Sequence, residues 1–98
     1  MFTEAEKGYC ESKGAAAAQS YAGRFAAKEA FLKAIGTGWR GKVAWRDIEV
    51  VLDDLGAPSL RVAGAAKELL GATGATGIHV SISHTSEHAV ALVILEKN

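Results

Sequence analysis

The chain has 98 residues, too few for two hydrophobic cores, and 49% of them are hydrophobic while 11 Lys+Arg balance 11 Asp+Glu, which excludes a disordered polyion. A formal net charge of zero removes the long-range attraction that non-specific nucleic-acid binding relies on, so nucleic acid is not an expected partner. The longest apolar runs, residues 15–18 and 89–95, fall short of the ~20 residues that span a bilayer, and the N-terminus lacks the charged-then-apolar order of a secretion signal, so no membrane is expected either. Cys10 is the only cysteine. It rules out an intrachain disulfide and a Cys-rich zinc site, and it points to a reducing, cytoplasmic compartment.

The first element is a short helix running to about Cys10. Thr3 precedes Glu6 by the capping-box spacing, and Phe2 is placed to pack over its start. Gly14 interrupts it. Residues 15–34 then form a long helix rich in good helix formers, with Phe25, Leu32 and Ile35 among its apolar positions and Gly36 as its stop. Three glycines make residues 36–42 a loop around Trp39. From Val43 the period changes: Ile48, Val50 and Leu52 alternate with Asp47, Glu49 and Asp53, the pattern of a strand with one buried face. Asp53 to Pro58 is a turn, and Leu60 and Val62 belong to a returning antiparallel strand.

Residues 64–70 suit a short helix stopped by Gly71, and residues 71–77 a connector. Ile78, Val80 and Ile82 oppose His79, Ser81 and Ser83, residues 84–87 form a polar turn, and residues 89–95 complete a second hairpin. Helices and strands mix without strict βαβ alternation. The expected class is therefore α+β, an antiparallel sheet packed on a long helix in one domain spanning residues 1–98.

Two clusters carry chemistry. Glu29 and Lys33 stand at i and i+4 on one helix face, which is either an ordinary surface pair or half of a polyphosphate site, since Mg²⁺ takes one or two carboxylates plus phosphate and water. Arg24 lies at a different angle on the same helix and suits a separate anion, or else a solvated position. The second cluster is His79, Ser81, Ser83 and His84 with Thr85 at a strand end, either a solvated face and turn or a phosphate-binding edge. A Ser-His hydrolase is excluded, because Gly-x-Ser-x-Gly is absent and Ser83 and His84 point apart. Zinc-type His spacing, the Walker pattern and the dinucleotide fingerprint are absent as well. Cys10 has no catalytic companion nearby and reads as structural.

The run Phe25-Ala26-Ala27-Lys28-Glu29-Ala30-Phe31-Leu32-Lys33 resembles the Phe/Trp-x-x-Lys-Glu-Ala/Ser-x-x-Lys signature of 4′-phosphopantetheinyl transferases. Its flanks resemble the holo-[acyl-carrier-protein] synthases of that superfamily in order along nearly the whole chain: Phe2 to Glu6 with Tyr9-Cys10, Gly23-Arg24, Ala34 to Gly38, Asp47 to Val50, Gly56-Ala57-Pro58, and Val80 to Thr85. The resemblance implies Mg²⁺-dependent transfer of phosphopantetheine from coenzyme A to a serine of acyl carrier protein, serving fatty acid synthesis, by small protomers that associate as homotrimers with the coenzyme A site between neighbours. It assigns Glu29 as metal ligand and Lys33 to a coenzyme A phosphate or the attacking serine, both catalytic, and Arg24, Ser83 and His84 to the nucleotide end. Members of the family open with a strand carrying Gly-Ile/Val-Asp, whose aspartate is the second metal ligand, and no such strand precedes Met1 here. Relative to the family the domain is thus N-terminally truncated, and the alternative expectation is a non-catalytic or degenerate coenzyme A-binding module or subunit.

Overall fold

A computed structural model describes residues 1–36, 43–85 and 87–97, so most of the expected loop 36–42, Trp39 included, lies outside the described residues. In chain order the elements are α1 (Glu4–Glu11), a 3₁₀ turn (Gly14–Ala16), α2 (Ala17–Ile35), a second 3₁₀ turn (Trp45–Asp47), β1 (Ile48–Leu52), β2 (Pro58–Val62), α3 (Gly64–Ala72), β3 (Gly77–His84) and β4 (Ala89–Glu96). The class is α+β. Two antiparallel hairpins, β1 with β2 and β3 with β4, pack on α2, and β2 lies against β3. Among the described residues no helix is long and apolar enough to cross a membrane.

The capping box forms as its spacing dictates: Glu6 N donates to Thr3 Oγ1 at 3.1 Å and Thr3 N donates to Glu6 Oε1 at 2.9 Å. Phe2 packs on Tyr21, with ring centroids 4.9 Å apart, and so ties the start of the chain to α2. The long helix begins at Ala17, two residues later than expected. Gly14 at φ +54° reverses the chain, and Ala15 and Ala16 complete a tight turn before α-helical bonding starts. It ends at Gly36, whose φ of +77° is the left-handed C-cap that glycine favours.

The buried residues of α2 are Ser20, Gly23, Arg24, Ala27, Lys28, Phe31 and Leu32, adjacent pairs recurring every four residues as one helical face. Only the C-terminal end of that face is greasy. There Phe31 and Leu32 meet Ile48 and Ala66 in the core, with Leu60, Val62, Ile78, Val93 and Leu95 packed around them. The N-terminal part of the face is small or charged, and its packing is described with the site below.

The strand expected to include Asp47 starts one residue later. Asp47 belongs to the second 3₁₀ turn, where its carbonyl accepts from Ala63 N at 2.9 Å and its carboxylate lies over Gly64. Gly64 has φ +55°, and a Cβ there would stand 2.9 Å from Asp47 Oδ2. Gly64→Ala is expected to lower stability by more than about 1 kcal/mol, the cost of a left-handed alanine with a steric conflict, read from the midpoint of urea unfolding. In the second hairpin Ile78, Val80 and Ile82 turn toward α2 and the core. Val90, Leu92 and Ile94 turn away, 66%, 58% and 53% exposed, across from Ser83, Ser81 and His79. His84 remains in β3, paired with Ala89, so the polar turn begins at Thr85, whose Oγ1 accepts from His88 N at 3.1 Å.

Candidate functional site

A cavity of about 350 Å³ opens where α1, α2, the first hairpin and the end of β3 converge; Tyr9, Lys13, Arg24, Pro58, Ile82 and His84 are among its lining residues. Gly23 permits the convergence. A Cβ at that position would lie 3.0 Å from Ile82 Cγ2 and 3.7 Å from His84 Cδ2, so glycine lets β3 approach α2 without crowding Ile82 and sets His84 beside the turn that carries Arg24.

Arg24 is held from two sides. Its Nη1 donates to Ser20 Oγ at 2.9 Å, and its guanidinium carbon lies 4.4 Å from the centroid of the Tyr9 ring. Cys10 Sγ donates to Ser20 Oγ at 3.2 Å from the far side, which accounts for this buried thiol as a support. Arg24 is only 6% exposed, and its buried Nε has no hydrogen-bond partner. Of the two readings open for Arg24, a separate anion or a solvated position, the solvated one does not hold. A guanidinium that lines a cavity and has no carboxylate partner among the described residues suits an anion, because a charge held out of water is costly until it is paired. Lys13, with its ammonium 4.7 Å from the Tyr9 centroid, adds a second cation to the same wall.

Of the residues singled out in the sequence, the structure brings Arg24 and His84 together. Ser83 is exposed on the opposite face of β3 and does not line the cavity, as period two requires. Glu29 and Lys33 project from the exposed face of α2, outside the cavity wall, and no ion pair joins them among the described residues. Among the described residues no group of three or more His, Cys, Asp or Glu gathers as a metal cluster. Tyr9 and Lys13 went unrecognised as wall residues, and nothing in their local spacing marks them.

The other residue missed is Lys28, together with its partner. Lys28 Nζ donates to Glu6 Oε1 at 2.8 Å, both side chains being fully buried, and also to Trp45 O at 2.9 Å and Met1 O at 3.2 Å. Glu6 Oε2 accepts from Val50 N at 2.8 Å. Local spacing does not mark it: neighbours on a helix point about 100° apart and can both face water, as Lys33 and Ala34 do on α2.

A family model described as the 4′-phosphopantetheinyl transferase superfamily matches residues 1–93. The chain belongs to that superfamily. It is 50% identical over 97 residues to the holo-[acyl-carrier-protein] synthase of Geotalea daltonii, covering 99% of this chain and 77% of that protein. The phosphopantetheinyl transferase fold is equally evident in solved structures. A holo-(acyl-carrier-protein) synthase from Bacillus anthracis, in complex with CoA (3′,5′-ADP), superposes with a TM-score of 0.80 at 43% identity, over 99% of this chain and 76% of that one. The Helicobacter pylori holo-[acyl-carrier-protein] synthase in complex with coenzyme A gives 0.80 at 28% identity, over 97% of this chain and 76% of that one.

Proposed function

We propose that this chain transfers 4′-phosphopantetheine from coenzyme A to a serine of an apo-acyl carrier protein in the cytoplasm, for fatty acid synthesis, as a homotrimer dependent on Mg²⁺. The observation that carries the reading is the cavity where the buried, incompletely paired Arg24 meets His84, in a chain whose relatives are named synthases and are solved with coenzyme A. In the reaction the serine oxygen attacks the pantetheine-bearing phosphorus, the pyrophosphate P–O bond breaks, and adenosine 3′,5′-bisphosphate leaves. Such a displacement needs alignment and charge neutralisation rather than an enzyme nucleophile.

Arg24 and His84 hold the phosphorylated nucleotide end at the cavity, and Ser83, on the opposite face of β3, does not reach it. Lys33 pairs with a pyrophosphate oxygen or orients the serine. Glu29 suits Mg²⁺ in being an exposed carboxylate outside any ion pair among the described residues, a hard oxygen donor of the kind that shares the ion with phosphates and water. When bound, the ion neutralises pyrophosphate charge.

The exposed apolar stripe Val90, Leu92 and Ile94 supports association, since a second copy of the chain would cover it. Leu92→Asp is expected to leave monomers at concentrations where the parent sediments as trimers, checked by analytical ultracentrifugation. The decisive test of function is to incubate the chain with apo-acyl carrier protein, coenzyme A and Mg²⁺ and weigh the carrier for one added phosphopantetheine. Coenzyme A binding that ignores Mg²⁺, with no mass gain, would make the chain a non-catalytic binding module. Arg24→Ala is expected to weaken coenzyme A binding about 10- to 100-fold, the worth of one charge-assisted hydrogen bond, read by calorimetry with the unfolding midpoint as a fold control. An unchanged dissociation constant would remove Arg24 from the site.

A further inference from the structure

We infer that the buried Glu6–Lys28 pair is a positioning device for Glu29, one that fixes the rotation of α2 rather than adding stability. The inference rests on the site reading above, in which Glu29 works on the substrate.

The pair is saturated. The ammonium of Lys28 has three N–H donors, and Glu6 Oε1, Trp45 O and Met1 O accept from it at 2.8, 2.9 and 3.2 Å. The Glu6 carboxylate takes Lys28 and Thr3 N on Oε1 and Val50 N on Oε2. These bonds join α1, α2, the turn before β1, and β1 itself, with both side chains fully buried.

Stability alone does not call for such a pair, since replacing a buried ion pair by apolar side chains of similar volume is often neutral or stabilising. What directional bonds supply, and apolar contact does not, is a single allowed arrangement. The buried face of α2 needs one. Before Phe31 it consists of Ser20, Gly23, Arg24, Ala27 and Lys28, and the small members of that set leave little shape to fix the rotation of the helix. With Ala27 and Lys28 both buried at the edge of this face, Glu29, about 100° further round, lies on the exposed side. A rotation of α2 by even part of that angle breaks the triple contact. Lys28 is therefore a positioning residue acting through Glu6, and the motif's adjacent Lys-Glu divides the work between one inward anchor and one outward ligand.

The test compares the wild-type chain with the double variant Glu6→Leu/Lys28→Met, which removes both charges and keeps the volume. The expected result is an unfolding midpoint at or above wild type, Val50 amide exchange about tenfold faster because its acceptor is gone, shifted amide resonances over residues 29–33, and kcat for phosphopantetheine transfer lowered about 10- to 100-fold with coenzyme A affinity unchanged. A stable double variant with wild-type amide resonances over residues 29–33 and wild-type kcat would overturn the inference. If the double variant does not fold, the near-isosteric Glu6→Gln carries the same comparison: shifted resonances with reduced kcat support the inference, and wild-type values of both refute it. A wild-type chain with no transfer and no Mg²⁺-dependent coenzyme A binding would instead overturn the site reading. The resonances of residues 29–33 would then judge the anchor by themselves.

Discussion

Lys28→Ala is expected to cost about 3–5 kcal/mol of stability, the effect found when one partner of a buried ion pair is removed and the other charge stays behind. The remaining Glu6 carboxylate would keep only Thr3 N and Val50 N as donors, at a fully buried position, while Trp45 O and Met1 O would each lose a donor. Alanine also leaves unfilled the space of one of the largest fully buried side chains among the described residues. A domain of this size holds about 5–15 kcal/mol in total, so the variant should unfold at a much lower urea concentration and populate unfolded chain measurably at 37 °C. The loss should shrink when Glu6→Leu is added to a Lys28→Met background, because the stranded charge disappears with it. A loss below about 1 kcal/mol for Lys28→Ala would mean that water or a shifted side chain reaches Glu6, and the pair would not be the dry contact its geometry describes.

This pair also marks where the sequence was legible and where it was not. Thr3 and Glu6 were readable as a capping box because that motif is local, and the bonds between them are present. That Glu6 in addition receives a lysine from α2 and an amide from β1 depends on contacts 22 and 44 residues away, which no local pattern encodes. Both hairpins were legible because period-two alternation reports one buried face directly, in Ile48–Val50–Leu52 and in Ile78–Val80–Ile82. The long helix was legible from its propensity and its glycine stop, but its buried face was not. Hydrophobic periodicity weighs Arg24 and Lys28 as exposed, whereas both lie on the buried face, each with partners supplied by another segment.

The same limit applies to the cavity. His84 was marked out as a strand-end imidazole, but its proximity to Arg24 depends on Gly23 lying under Ile82, a close approach visible only once β3 is laid on α2. Ser83 came with His84 as a neighbour in the motif, and the alternation of β3 separated them onto opposite faces.

If Glu29 is the Mg²⁺ ligand proposed above, Glu29→Gln should lower phosphopantetheine transfer by about 10²- to 10⁴-fold, because it would remove a charged oxygen donor to the ion, a contribution of several kcal/mol to the transition state. The assay is mass gain of the carrier per unit time, in this chain or in a version extended upstream of Met1 by an aspartate-bearing strand. Stability should move by less than about 0.5 kcal/mol, since Glu29 is exposed and outside any ion pair among the described residues. The two readouts together make the result diagnostic. Loss of transfer with an unchanged unfolding midpoint leaves only a role on the substrate side for this carboxylate, and the Mg²⁺-dependent part of coenzyme A binding should vanish with it while the contribution of Arg24 persists. Full activity in Glu29→Gln would place the metal elsewhere. The outward face of α2 would then be ordinary solvated surface, and the reading of Lys28 as an anchor for Glu29 would lose its purpose even if the buried pair proved as strong as expected.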